Sequence, residues 1–304
     1  MPIPESQLET WAKQGPIDSS SKSYQSIKNA LSYIESPIAP HITSGKVKVY
    51  LQGSYANDTN IRGDSDVDVV VELTETFHSN KTTLTVEERQ AHDRHYDSAT
   101  YSWEKFREDV ITALQKYYGT GLVDLSGNKS LKVLPKNGRL RIDVVPVLTH
   151  REYVYFNSPS DHFKDTGVCL YHRITKKVII NYPEIHYNKG VDKHNLSSKW
   201  FKPAVRIFKN AVSHLIDNNK LTKNQAPSYF LQCLIYNVPS DKFGGSYQDT
   251  VVNVLKYLNS TDLSAFMCQH EMHNLFGSED TYWNIKDAKL TIAELTNLWN
   301  DWYA

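Results

Sequence analysis

Eight consecutive residues, Asp66-Val67-Asp68-Val69-Val70-Val71-Glu72-Leu73, constrain the fold of this chain more than any other stretch. A β-branched, partly alternating run predicts a strand. Side chains alternate along a strand, so Asp66 and Asp68 share one face and Val67 takes the other. Two carboxylates held this close repel each other, and their hard oxygens suit Mg²⁺, which keeps waters and substrate phosphates in its remaining positions. Upstream, Gly53-Ser54 follows a short predicted strand, Val47 to Leu51, and eleven residues separate Ser54 from Asp66. A glycine there lets backbone close on a phosphate, and the Ser54 amide and hydroxyl can donate to it. A third acid, Asp143, stands in the apolar run Leu140-Arg141-Ile142-Asp143-Val144-Val145-Pro146, where a carboxylate needs a partner or a metal.

Three carboxylates on adjacent strands can hold two cations about 4 Å apart, one activating a hydroxyl and one clamping a nucleoside triphosphate for in-line displacement. A D-x-D by itself reads better as a solvated strand or a structural calcium site. The glycine-serine turn, the spacing and the later strand aspartate together point to phosphoryl or nucleotidyl transfer.

Periodicity places these residues in an α+β chain. A helix is predicted after the cap candidates of residues 19–23, with Ile27, Ala30, Leu31 and Ile34 at helical spacing. Residues 74–100 read as a long polar loop or small excursion. Tyr101 to Tyr118 has a helical stripe closed by Gly119, and Asn137-Gly138 predicts a hairpin between Leu131–Leu134 and Leu140–Leu148. From about Ser198 onward the pattern is helical. The expected division is residues 1–190 as a catalytic lobe carrying the N-terminal helix and 191–304 as a helical lobe, with the site in a cleft between them.

Composition narrows the function. Thirty-four bases against 34 acids leave no net charge over 304 residues, which argues against long nucleic acid or a membrane as partner. Between Arg173 and Lys223, however, eleven bases stand against three acids, enough to form one wall of a cleft for a small polyanion. Three scattered cysteines suggest neither a disulfide framework nor a thiolate zinc site and fit a reducing cytoplasm. No stretch reaches the roughly 18 apolar residues of a membrane-spanning helix, and Met1 to Glu9 has no apolar signal core.

The acidic motif resembles that of the nucleotidyltransferases of polymerase-β-like fold, and the likeness continues along the chain. Leu51-Gln52-Gly53-Ser54-Tyr55, Asn60-Ile61-Arg62-Gly63-Asp64-Ser65-Asp66-Val67-Asp68, Asn181-Tyr182-Pro183, Trp200-Phe201-Lys202-Pro203, Arg206-Ile207-Phe208-Lys209-Asn210 and Ala226-Pro227-Ser228-Tyr229-Phe230-Leu231 resemble the cGAS/DncV-like nucleotidyltransferases. Pro4 to Leu8 resembles the opening of their clade E members. Lys193-His194 departs from the Lys-Asn that relatives often carry.

The resemblance implies a nucleotidyltransferase lobe of mixed sheet and helices, followed by a helical lobe. It implies Asp66, Asp68 and Asp143 as a catalytic, metal-binding triad for two Mg²⁺, with Mn²⁺ able to substitute. Gly53 and Ser54 would hold donor phosphates, Lys209 the triphosphate tail, Ser228 would add a hydroxyl, and Tyr229 would stack on a base. Asn181 matches an asparagine associated with accepting a pyrimidine, because a carboxamide both donates to and accepts from a uracil edge.

The implied activity is template-independent joining of UTP and ATP into a cyclic dinucleotide such as cyclic UMP-AMP. The setting would be bacterial antiphage signalling, with a monomeric cytoplasmic enzyme and an effector that binds the product rather than the enzyme. Two alternatives stay open on the residues alone: a transferase that modifies RNA, a small molecule or a protein hydroxyl, and an inactive NTP-binding module. His92-x-x-His95 and His270-x-x-His273 have ligand spacing but no third ligand nearby, and read as core or surface histidines.

Overall fold

The computed structural model describes residues 1–32, 46–61, 66–279 and 281–302. Ile34 and the Arg62-Gly63-Asp64-Ser65 part of the acidic motif lie outside the described residues. Two compact units emerge, one of Ile17–Tyr55 and Asp64–Pro183, the other of Met1–Pro16, Ala56–Gly63 and Glu184–Ala304.

The first unit is built on seven described strands: β1 (Val47–Leu51), β2 (Val67–Asn80), β3 (Val123–Asp124), β4 (Leu131–Val133), β5 (Ile142–Ser158), β6 (Asp161–Tyr171) and β7 (Val178–Asn181). The order β1-β2-β5-β4-β3 puts β2 and β5 side by side and parallel, while β6 pairs with the far part of β5 and carries β7. Helices α2 (Asp18–Leu31) and α5 (Trp103–Tyr118) pack on this sheet. Val67, Val69, Ile142 and Val144 bury against Ile27, Phe106, Val110 and Leu114. Each such side chain contributes about 1.5–3 kcal/mol on leaving water, and this apolar side fixes the register that holds the carboxylates opposite one another.

The hairpin expected at Asn137-Gly138 forms between β4 and β5, with both turn residues at positive φ and Lys136 bridged to Arg139. The expected loop of residues 74–100 is instead structured. β2 runs on to Asn80 after an irregularity between Leu73 and Phe77, and α4 (Val86–His95) follows. Thr85 and Glu88 form a capping box at the start of α4.

The second unit gathers α1 (Glu5–Ala12), α6 (Pro183–Leu196), α7 (Phe201–Asp217), α8 (Ser228–Tyr236), α9 (Tyr247–Ser260) and α10 (Ile285–Asn300) around one apolar core. The short α3 (Gly53–Ala56) lies at the chain's passage from the first unit to the second. The division falls at Pro183 and Glu184 rather than at 190, and residues 1–16 and 56–63 join the helical unit. Polar contacts explain both transfers. The Glu5 carboxylate accepts from the backbone of Tyr247 and Gln248, each at 2.8 Å, capping α9. Lys202, Arg206 and Lys209, spaced along one face of α7, donate to the Asp58 carboxylate, the Asp58 carbonyl and the Thr59 carbonyl at 2.7, 2.6 and 2.8 Å.

Candidate active site

Chain geometry at the start of β2 brings the acidic residues and the glycine turn together. Backbone of Gln52 donates to the Asp68 carbonyl at 2.9 Å, so the turn leaving β1 lies along the first residues of β2. Gly53 adopts φ +68°, and a Cβ added there would collide with Asp68 Oδ2. Glycine is therefore required twice, by conformation and by the approach of the turn to a carboxylate. Ser54 follows in the single turn of α3.

Asp68 stands directly opposite Asp143 in the parallel register of β2 and β5. Across the next strand Lys132 is opposite Asp143, and Asp124 is opposite Lys132. Charges thus alternate along one row of the sheet after the Asp68–Asp143 pair. Burial and the Asp66 charge push the Asp143 carboxyl above its usual range, against the pull of Arg141 and Lys132. Asp143 Oδ1 is buried without a hydrogen-bond partner.

Asp66, one residue before β2, is ion-paired through Oδ2 with Arg141, which precedes β5. Among the described residues no three histidine, cysteine or acidic side chains are grouped to hold a cation. The donor chemistry nevertheless fits a divalent metal. Two opposed carboxylates supply hard oxygens, and the orphaned Asp143 oxygen is a buried acceptor that a cation would satisfy.

Asn181 closes β7, opposite Val168, and its Oδ1 accepts from the Tyr182 amide at 2.9 Å. Gly167 makes this possible, since a Cβ there would lie 2.6 Å from the Asn181 carbonyl and 2.7 Å from the Tyr182 ring. The Tyr182 ring is buried, edge-on to His150.

In the helical unit, Ser228 is exposed at the first position of α8, after Pro227. Tyr229 is 39% exposed and stacks on His186 with centroids 5.4 Å apart and planes 22° from parallel. Its hydroxyl lies against Cys233 and Cys268, and burial pushes its pKa up. Lys209 is buried, with its ammonium on the Thr59 carbonyl. Of the residues expected at the site, the structure thus brings together Gly53, Asp68 and Asp143, ties Asp66 to Arg141, and places Lys209, Ser228 and Tyr229 in the helical unit.

Several neighbours escape sequence reasoning. Arg141 could have been found, because it lies two residues from Asp143 and so shares its face of a strand. His186, Gln232 and Gln269 carry no such signal. Gln232 accepts from Thr59 Oγ1 at 3.1 Å and donates to Gln269 Oε1 at 3.0 Å and to His186 Nε2 at 3.1 Å. An amide nitrogen only donates, so His186 Nε2 is the acceptor and the proton sits on Nδ1. The paired histidine motifs are structural. His92 is buried among Tyr96, Tyr153 and Phe156, and His270 is buried beside His273. A depression of about 1320 Å³ walled by Phe77, His78, His92, Tyr96 and Trp103 includes none of the expected site residues.

The chain is similar to known proteins along its whole length. Residues 39–117 match the nucleotidyltransferase domain, and residues 188–300 match the cGAS/DncV-like nucleotidyltransferase C-terminal helical domain. A cyclic UMP-AMP synthase of Rhodothermus marinus is 40% identical over 302 residues, spanning 99% of both chains. The chain belongs to the cGAS/DncV-like nucleotidyltransferases. A cyclic nucleotide synthase of Staphylococcus haemolyticus is 39% identical over 306 residues, covering 99% of this chain and all of that one. The solved structure of the Rhodothermus marinus CdnE c-UMP-AMP synthase with Apcpp and Upnpp superposes with a TM-score of 0.89 over 100% of this chain and 98% of that one. As a member of this family the chain is a nucleotidyltransferase, of a family that generally uses divalent metal ions. No helix among the described residues is long and apolar enough to cross a membrane.

Proposed function

We propose that this nucleotidyltransferase joins UTP and ATP into a cyclic dinucleotide, cyclic UMP-AMP, with Asp66, Asp68 and Asp143 as its catalytic carboxylates. The observation that carries the chemistry is the juxtaposition of the Gly53 turn with Asp68, and of Asp68 with Asp143 across parallel strands. Similarity along the whole chain to the Rhodothermus marinus synthase supports the choice of bases.

In the first step a 3′-hydroxyl oxygen of one nucleotide forms a bond to the α-phosphorus of the other, and the bond to pyrophosphate breaks. The hydroxyl proton goes to Asp143, whose Oδ1 is a buried acceptor without a hydrogen-bond partner. The second step repeats the displacement within the linear intermediate, closing the ring and releasing a second pyrophosphate. Asp66, Asp68 and Asp143 would hold Mg²⁺, or Mn²⁺ as substitute, which would supply positive charge to the triphosphate and acidity to the attacking hydroxyl.

Gly53 and Ser54 cradle donor phosphates. Lys209, anchored on Thr59 five residues beyond Ser54, takes the triphosphate tail, with Ser228 adding a hydroxyl. Tyr229, braced by His186, offers its ring face to a base. Asn181 Nδ2 donates to a uracil carbonyl while Oδ1 stays on the Tyr182 amide.

The enzyme acts as a cytoplasmic monomer in antiphage signalling, and a downstream effector reads the product. The test is Asp66→Ala combined with Asp68→Ala, which removes two carboxylates from the end of a strand without opening the core. NTP consumption is expected to vanish while the melting temperature stays near wild type; retained turnover refutes the assignment.

A further inference from the structure

The ion pair between Arg141 and Asp66 needs a reason of its own, because it occupies a carboxylate that the reaction assigns to a cation. Three acids crowd one end of two neighbouring strands, and Lys132 lies across the sheet from Asp143. The Arg141 guanidinium pairs with Asp66. Asp143 Oδ1 meanwhile has no partner.

We infer that Arg141 is a resident counter-cation that competes with metal for Asp66, so that free metal binds weakly and loads together with the nucleotide. The inference rests on the reading of Asp66, Asp68 and Asp143 as metal ligands. Arg141 is suited to the exchange. Its side chain is 45% exposed, so it can swing off Asp66 without disturbing the core. A guanidinium also matches the oxygens of a triphosphate as well as it matches a carboxylate, so an arriving nucleotide offers it a new partner. Arg141 is thus a positioning residue, acting on Asp66 rather than on the reacting atoms.

The experiment is Mn²⁺ binding to the full-length protein without nucleotide, followed by electron paramagnetic resonance and by calorimetry, for wild type, Arg141→Gln, Arg141→Lys and Asp68→Asn. Arg141→Gln is expected to bind Mn²⁺ about two- to fivefold more tightly than wild type, the range set by loss of one half-exposed ion pair. Arg141→Lys, which keeps the charge but not the fork, should fall between them. Metal-free Arg141→Gln should melt earlier and recover when Mn²⁺ is added, which a purely structural ion pair would not do. Binding that is lost in Asp68→Asn but equal or weaker in both Arg141 variants overturns the inference alone. Binding that survives Asp68→Asn overturns the metal-site reading and the inference with it.

Discussion

Replacing Gly53 with alanine separates two demands that the structure places on one residue. The first is conformational: at φ +68° an L-residue costs about 1–2 kcal/mol. For a unit of this size that is a fall of roughly 2–8 °C in melting temperature. The second is steric, because the new Cβ would collide with Asp68 Oδ2. The carboxylate must move by about 1 Å, a displacement that costs on the order of 10²-fold in rate when it misplaces a catalytic group. Gly119→Ala is the control. Gly119 has φ +87° and ψ 149°, a region open essentially to glycine, and nothing within 4 Å of an added Cβ, so it carries a conformational cost of at least that size without the collision. Turnover of UTP and ATP, measured as pyrophosphate release beside thermal melts, is expected to fall about 100-fold in Gly53→Ala and to stay at wild-type level in Gly119→Ala, with both melting earlier. If Gly53→Ala turns over within about threefold of wild type while melting as expected, the argument that the turn positions Asp68 is wrong.

Other perturbations test the helical unit and the base site. Gln232→Leu strands the Thr59 hydroxyl, His186 Nε2 and Gln269 Oε1, and should cost about 3 kcal/mol in urea unfolding; a loss below about 1 kcal/mol contradicts the network. Burial and the nearby His270 hold His186 down at about 3 against an ordinary 6.5. The unfolded chain therefore takes up a proton that the folded one refuses, so this contribution is intact above pH 6.5 and lost as pH falls toward 3. His186→Phe should flatten the stability–pH curve in that window by about 1.4 kcal/mol per pH unit, and an unchanged slope would show that His186 titrates normally. Asn181→Ala should lower incorporation of UTP by about tenfold relative to ATP, read by competition between labelled substrates, whereas an equal fall for both would assign Asn181 to the sheet edge only.

The elements that were legible in the sequence are those whose signals are local. β1, α5 with its closing Gly119, and the Asn137-Gly138 hairpin follow from alternation, helical spacing and turn chemistry. The opposition of Asp68 and Asp143 was foreshadowed because both sit in β-branched strands, although their register is a tertiary fact. Residues 74–80 looked like loop because their strand character comes from pairing with β5, some seventy residues away. α1 is polar and short, and it is fixed by Glu5 capping α9 at the far end of the sequence. The segment 56–60 could not be assigned to the helical unit before Lys202, Arg206 and Lys209 were seen gripping its backbone. The same contacts revise the meaning of the basic block between Arg173 and Lys223, since three of its bases bind this chain.

The most direct measurement is incubation of the purified protein with all four NTPs and Mg²⁺ or Mn²⁺, labelling one α-phosphate at a time, then phosphatase treatment and mass identification of what remains. The account expects one phosphatase-resistant product that draws label from UTP and ATP alone and has the mass of cyclic UMP-AMP. Label appearing in RNA or protein, or a resistant product lacking uridine, would contradict it.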